Sequence, residues 1–469
     1  NSIENPVWSQ NDTIGIYPTS GDQLSFPIVD GVGTSTCIFD GGGWALKASS
    51  TYTAYSPFNR AYYSRKYNSS LPISMLNQEQ NGNDNTKHLG KYDIQIAKGQ
   101  TPENGKISFA FEHKVCIVRM DLELPVAASW KSIKLISDAT FTTEATMNLS
   151  TDIPSINAKT YANSITLSLY NVNTTEENKT ITAYMMLLPV DFTGKTLKIK
   201  VSDYYNNNYI ADAIIVNDNR NFEAQKARWI TANQFSLQEK PDYTWYDSSK
   251  STYEIGKANQ LIALSNIAKG DATALSAIGV AEAPTFEGKT INLTNDIDLS
   301  FEIWTPIEQF SGIFEGNNYT IKNLYCNQSG NLGLFKSTSN ATIRNLIISG
   351  LIQKDNKNDT DKIGGFVAQA SNSTFENCHS SVNIRTSGKP ITMCVGGICG
   401  RSDYSSFYAC SSNGIIEDQQ NIWEWTCYLG GIVGYSISNN IIACYKLRGN
   451  VFETNIQSYS YIGGIVGFI

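Results

Sequence analysis

The sequence predicts an all-β protein whose C-terminal part is a β-solenoid, and three observations carry that prediction. A glycine pair flanked by Ile, Val, Leu and Phe keeps returning, and its second glycines are Gly333, Gly365, Gly397, Gly431 and Gly464. The steps between them are 32, 32, 34 and 33 residues, the interval of a repeat architecture. A second landmark keeps the same phase: Leu346, Cys378, Cys410 and Cys444 each stand 13 residues after a second glycine. Elsewhere, short β-branched and aromatic runs alternate with Asn, Gly and Asp, and few stretches carry a helical period.

Length and composition bound what the chain can be. Its 469 residues exceed one hydrophobic core and suggest about three domains. The net charge of -7 comes without a basic stripe, which argues against nucleic acid and against binding to an anionic membrane. No run is long and apolar enough to cross a membrane as a helix. The chain begins at Asn1 with no Met and no signal-like segment, so it reads as a mature or a recombinant form, with any secretion signal or lipid anchor lying outside it. The nine cysteines include no C-x-x-C pair and no zinc spacing, so at least one thiol is free or paired with another molecule.

Residues 1–106 read as a first β-sandwich. Asp12 to Tyr17, Trp44 to Leu46 and Tyr52 to Phe58 are its strand candidates, while Asn77 to His88 reads as a long polar surface loop. Residues 107–237 read as a second sandwich, with strands through Val115–Leu122, Ile165–Leu169, Ile181–Leu188, Leu197–Val201 and Tyr209–Val216. Residues 238–309 read as a linker followed by a small helical and β cap. Leu261, Leu264, Ile267 and Ala268 fall at helical spacing between Lys257 and Ile278, and Gly270 divides the segment into two short helices. A repeat array needs such a cap, because its first rung would otherwise leave an apolar face and a bare strand edge exposed. Residues 310–469 are the array, expected as a right-handed parallel β-helix. In each repeat a strand at the glycine pair is followed by a polar turn (Ser371-Asn372-Ser373), a strand through Phe375 and Cys378, and one near Val382–Ile384. The glycines suit a tight bend or a close backbone approach at the strand start, where a Cβ would clash.

Two resemblances enter on these residues. The ordered strings Trp8, Asp12-Thr13-Ile14-Gly15-Ile16-Tyr17, Tyr52 to Phe58, Asp93-Ile94-Gln95-Ile96-Ala97 and Phe109 to Val115 resemble the fimbrillin-like proteins of the Bacteroides group, over about the first half of the chain. That resemblance implies two tandem transthyretin-like sandwiches, export as a lipoprotein precursor to the outer membrane, and assembly with other pilin subunits by β-strand exchange. The array resembles the GLUG-motif repeats of bacterial surface proteins. Its lead-in, Asn295 to Leu299, Trp304 to Ile307 and Gly312 to Ile321, matches what precedes them.

The search for chemistry yields little. His88, His113 and His379 have no Ser or Cys partner by sequence context and read as structural. The cluster Asp355 to Asp361 has the oxygen side chains of a calcium loop. It lacks the glycine and terminal Glu of an EF-hand, so a solvated turn is the preferred reading and no metal is assigned. Asp296 and Asp298 share one strand face, as a carboxylate pair or, preferred, as a polar outer face. The stacked Cys378, Cys410 and Cys444 read as reduced core residues in preference to inter-rung disulfides. No acid, base and charge neutraliser recur in phase, so no catalytic residue and no cofactor is assigned.

Aromatic residues are the better lead. Trp423 and Trp425 stand beside Tyr428 in a longer insertion, with Tyr404 and Tyr408 one rung earlier. Insertions on one face of a solenoid serve binding, and exposed rings stack on sugars or anchor a protein. The bland account, rings covering the solenoid's own edge, weighs equally on the sequence. The resulting expectation is a pilus component near the tip, binding a glycan or protein ligand through the solenoid. A surface glycan-active lyase or hydrolase and a structural spacer are the alternatives.

Overall fold

A computed structural model describes residues 7–18, 22–43, 46–64, 70–150, 154–300, 302–357, 360–389, 392–420, 426–446, 451–453 and 459–468. Strands hold 55% of the chain and helices 7%, so the class is all-β. The chain divides into two compact units, Asn1–Gln238 and Glu239–Ile469.

The first unit opens with strands β1 (Thr13–Pro18), β2 (Leu24–Asp30), β3 (Ile38–Phe39) and β4 (Tyr52–Ser56). Next come β5 (Leu71–Ser74), β6 (Gln78–Asn81), β7 (Gln95–Gln100) and β8 (Phe111–His113). Six of these make one sheet in the order β3-β2-β1-β4-β7-β8. Period-two alternation sorts its side chains: Ile14, Ile16, Ala54 and Ala97 share one apolar cluster, while Tyr17, Tyr55 and Ile96 enter the unit's main core. β8 lies beyond residue 106 yet completes this sheet, and β5 and β6 lie before it yet join another.

That second sheet is built on two long strands, β9 (Cys116–Glu123) being followed by β10 (Ser129–Asn148) and β11 (Ser155–Asn173). After β12 (Thr180–Leu187) and β13 (Val190–Asp191) come β14 (Leu197–Asp203), β15 (Asn208–Asp212), β16 (Ile214–Ile215), β17 (Asn221–Phe222), β18 (Ala227–Ala232) and β19 (Ser236–Leu237). A sheet in the order β19-β15-β14-β10-β11-β6 faces a smaller one, β12-β9-β18-β16. Ile133, Leu135, Leu167 and Ile199 from the first meet Val118, Met120, Leu122 and Met185 from the second in one core, the packing of a β-sandwich.

The segment expected as a polar surface loop, Asn77 to His88, instead contains β6 and does structural work. β12 is the edge of the smaller sheet, and its outward backbone groups are satisfied by side-chain amides of β6. Gln78 accepts from Met186 N at 2.8 Å and donates to Met186 O at 2.7 Å. Gln80 accepts from Tyr184 N at 2.8 Å and donates to Thr182 O at 3.0 Å. Both glutamines are buried, and the edge they close cannot template a foreign strand.

The second unit starts with a strand, Thr252–Ile255, then α1 (Ala258–Lys269) and α2 (Ala272–Ile278). Gly270 ends α1 in the left-handed region at φ 78°, and Asp271 caps α2 by accepting from Thr273 N and Ala274 N. Leu261, Leu264 and Ile267 of α1 enter the solenoid core, and Ser265 Oγ donates to Thr305 O at 2.6 Å. Thr252–Ile255 pairs in parallel with Thr290–Leu293 and begins the largest sheet. The segment read as linker also packs inward, Tyr243, Trp245 and Tyr246 lying against the same core.

Beyond the cap, parallel pairing repeats for about four turns. Ile363, Val395, Leu429 and Ile462 are successive partners on one sheet, and Val367, Cys399, Val433 and Val466 on another. On the third sheet the two strands expected through Cys378 and Ile384 run as a single one, Thr374–Lys389. A further strand precedes each glycine pair, as at Thr392–Gly396. Phe375 and Phe407 stack with centroids 5.0 Å apart, near the spacing of about 4.8 Å that paired strands impose.

Candidate functional site

The glycine pair divides two tasks. A Cβ on Gly396 would meet the Cys399 carbonyl of its own rung, and one on Gly430 the Val433 carbonyl, so the first glycine permits the bend between two strands. A Cβ on Gly365, Gly397 or Gly431 would meet the carbonyl of the next pair's second glycine, so the second glycine permits rung-to-rung approach. Gly333 meets the Gly364 carbonyl at 2.7 Å, and Gly464 meets nothing within 4 Å.

Leu346 and Cys378 are register partners in the core. The Cys378, Cys410 and Cys444 sulfurs lie 3.4, 3.5 and 3.4 Å from the carbonyls of Ile343, Phe375 and Phe407, each on the preceding rung. All nine cysteines carry free thiols. Along the stack, hydrogen bonding with Cys378 raises the pKa of Cys410 and that with Cys410 raises the pKa of Cys444; the bond to Cys444 opposes the rise at Cys410, and burial adds to both. Neutral thiols of this kind behave as small apolar side chains and poor nucleophiles.

The carboxylates considered for metal or acid–base work are engaged in structure. Asp296 pairs with Lys322 at 2.7 Å and accepts from Thr320 N, and Asp298 accepts from Asn323 and from Ser300 N. Asp355 to Asp359 have side chains outside the described residues. Asp361, read as part of a solvated turn, is instead buried and paired with buried Lys354 at 3.1 Å. The pairing explains the burial, since an acid sequestered from water needs a cation beside it. Among the described residues no group of three or more His, Cys, Asp and Glu side chains could hold a metal. His379 is half-buried, with its ring nitrogens 2.7 Å from Ser411 Oγ and 2.9 Å from Asn377 Oδ1. Desolvation lowers its pKa. His113 contacts Asp93 at 2.7 Å, and that hydrogen bond raises its pKa against the opposing effect of burial.

Of the five aromatic candidates, Trp423 and Trp425 lie outside the described residues. The other three are not brought together. Tyr404 is 63% exposed in a turn, Tyr408 is half-buried on the largest sheet, and Tyr428 is on the sheet that runs into the glycine pairs. Tyr404 occupies a left-handed turn position, φ 52°, where earlier rungs place Asn340 and Asn372 and a later one Ser438. Asn suits that region, and an aromatic residue there is strained.

Tyr428 instead nucleates a ring cluster. Tyr461 stacks on it at 5.3 Å, and Tyr435 and Phe468 lie at 5.0 and 5.2 Å. Arg401 sits over the Tyr435 ring at 5.3 Å. The signal for Tyr435, Phe468 and Arg401 was present in the repeat: all occupy the fourth place after a second glycine, while Tyr428 and Tyr461 stand three before one. Reading the repeat by column rather than by insertion length finds them.

The first unit carries a second surface. Above the face bearing Ile14, Ile16 and Phe26 lies a cavity of about 1480 Å³ lined also by Trp8, Phe39 and Phe111. Trp8 bridges it, with its ring 5.1 Å from Phe39 of β3 and 5.6 Å from Phe111 of β8, the two edge strands of the sheet.

The first unit carries a groove over one sheet and the solenoid a strip of partly exposed rings, and both belong to an all-β protein. The fimbrillin-like family profile matches residues 2–255, more than half of the chain, and the chain belongs to that family. Membership makes it a surface component of the pilus and adhesion type. Solved structures similar to it include a protein assigned to cell adhesion from Bacteroides ovatus, at 15% identity and TM-score 0.33, covering 50% of this chain and 87% of that one. Another assigned to cell adhesion, from Bacteroides uniformis, has 16% identity and TM-score 0.31, covering 50% and 92%. An IgA1 protease has 15% identity and TM-score 0.25, covering 57% of this chain and 23% of that one. No curated protein matches the chain significantly.

Proposed function

We propose that the chain is a pilus-associated adhesin, exported as a lipoprotein precursor to the outer membrane, whose solenoid contacts a glycan or protein ligand at or near the pilus tip. The observation that carries this reading is the attachment of a solenoid with an exposed aromatic strip to a fimbrillin-like unit. An array serving only as a spacer has no need of solvent-facing rings at successive rungs.

Assembly with other pilin subunits proceeds, in this reading, by β-strand exchange into the first unit. The groove beside β3 and β8 supports it, since an inserted strand would cover Ile14, Ile16 and Phe26 and pair with an open edge. The closed edge at β12 directs such pairing away from the sandwich. A solenoid joined to the fimbrillin-like unit gives this subunit a surface that polymerisation into a shaft does not require, which suits the tip. The array continues the GLUG-type resemblance of its sequence, a repeat of bacterial surface proteins.

Immunogold labelling of piliated cells tests the location: labels at fibre ends are expected, and labels along the shafts would sink the tip assignment. A glycan and matrix-protein array probed with the full chain tests the activity. Specific binding is expected, and a blank array would return the solenoid to the role of spacer.

A further inference from the structure

Two outward columns of the solenoid meet beside the glycine bends. Parallel pairing places Lys362, Cys394, Tyr428 and Tyr461 on one and Gln369, Arg401, Tyr435 and Phe468 on the other. The columns therefore change character along the axis. Two rungs carry Lys362, Gln369, Arg401 and the buried Cys394, and the next two carry only aromatic rings. The rings are in mutual contact, with Tyr435 and Phe468 stacked at 5.2 Å and Tyr461 meeting Phe468 at 5.2 Å. They are not sealed from solvent: Tyr461 is 45% exposed, and Tyr428, Tyr435 and Phe468 are half-buried.

The cationic end is also incompletely neutralised. Asp403 holds Arg401 through Nε alone, at 3.3 and 3.2 Å, and no described residue accepts from the two terminal nitrogens. Lys362 has no ion-pair partner among the described residues. Both cations act on Cys394, which stands between Lys362 and Tyr428 in its column. Burial pushes that thiol up to about 11, and the fields of Lys362 and Arg401 oppose the rise.

We propose that this strip, Lys362, Arg401, Tyr428, Tyr435, Tyr461 and Phe468, is a subsite for an acidic oligosaccharide, lying along the solenoid axis with pyranose faces on the rings and a carboxylate at the cations. The proposal rests on the adhesion reading and names its ligand class. Ring and cation are both required by such a ligand: sugar C–H faces pack on aromatic faces, and a planar guanidinium recognises a carboxylate through paired donors. The strip spans three rung steps, about 14 Å, the reach of a short oligosaccharide. A neutral glycan leaves the cations unused, and an apolar peptide would have to desolvate them.

Binding of the full chain to sialyllactose and to trigalacturonate is compared with binding to lactose and to methyl-esterified trigalacturonate, which lack the charge. At least one carboxylated probe is expected to bind at least about tenfold more tightly than its neutral counterpart, and less tightly as salt rises. Tyr461→Ala and Lys362→Gln, both at solvent-facing positions, are each expected to weaken it by about tenfold. Failure of both carboxylated probes to bind, or wild-type affinity in both variants, overturns the site. Adherence of cells to their target that is unchanged in both variants overturns this subsite while leaving the adhesion reading in place. A chain that is absent from pili and binds nothing on the array removes that reading first.

Discussion

Replacing Gly397 by Ala tests why the repeat keeps its second glycine. Gly397 is not among the residues with positive φ, so alanine adopts its backbone conformation without strain and the cost is steric. The added Cβ would overlap Ser412 Oγ and the Gly431 carbonyl, with Ser412 Cβ at 2.5 Å. The serine hydroxyl can rotate away, but the carbonyl is backbone of the next rung and moves only if the rungs separate. Overpacking of this kind costs about 1–3 kcal/mol, and the upper half of the range applies where backbone must shift. For a unit of this size each kcal/mol lowers Tm by roughly 2–4 °C. Gly464→Ala is the internal control, since its Cβ meets nothing within 4 Å. Differential scanning calorimetry of the full chain should show the solenoid transition falling several degrees in Gly397→Ala and staying within about 0.5 kcal/mol of wild type in Gly464→Ala. Equal shifts in the two variants would refute the rung-approach account.

Three further outcomes follow from contacts described above. Lys354→Met strips Asp361 of its buried partner and should destabilise the solenoid by about 3–5 kcal/mol, whereas Lys354→Met with Asp361→Leu should recover most of the loss in denaturant melts. Tyr404→Asn places at φ 52° the residue type that two earlier rungs use, and should stabilise by about 1 kcal/mol; an unchanged or lower melting temperature would show that the tyrosine is not strained. His113 has a folded pKa raised by its bond to Asp93, so the protonated form is favoured in the folded state. Its stabilisation is complete below the unfolded value of about 6.5 and is lost as pH rises through the raised folded value. The stability difference between wild type and His113→Gln should therefore shrink steadily as denaturant melts are repeated from acid to alkaline pH.

The solenoid was legible in the sequence because its physics is periodic. Each rung repeats one set of steric demands, so Gly365, Gly397 and Gly431 and the column from Leu346 to Cys444 return in phase whatever lies between them. The cap was legible for a related reason: Leu261, Leu264 and Ile267 must face the first rung at helical spacing. The polar strand β6 was not legible, because Gln78 and Gln80 look like loop residues until β12 is known to lie opposite them. Their amides replace a missing strand, and a side chain that imitates backbone carries no hydrophobic signature. Asp361 hid in the same way, its burial depending on Lys354, seven residues earlier. The candidate site shows the limit from the other side. Counting aromatic residues by insertion favoured Trp423 and Tyr404, whereas stacking is decided by column, and columns are fixed only once the register is known. Lys362, Arg401, Tyr435 and Phe468 carry no motif of their own. What joins them is that rungs 32 to 34 residues apart in sequence lie one strand spacing apart in space, so a repeat that fixes architecture also lets a few substitutions in one column build a surface.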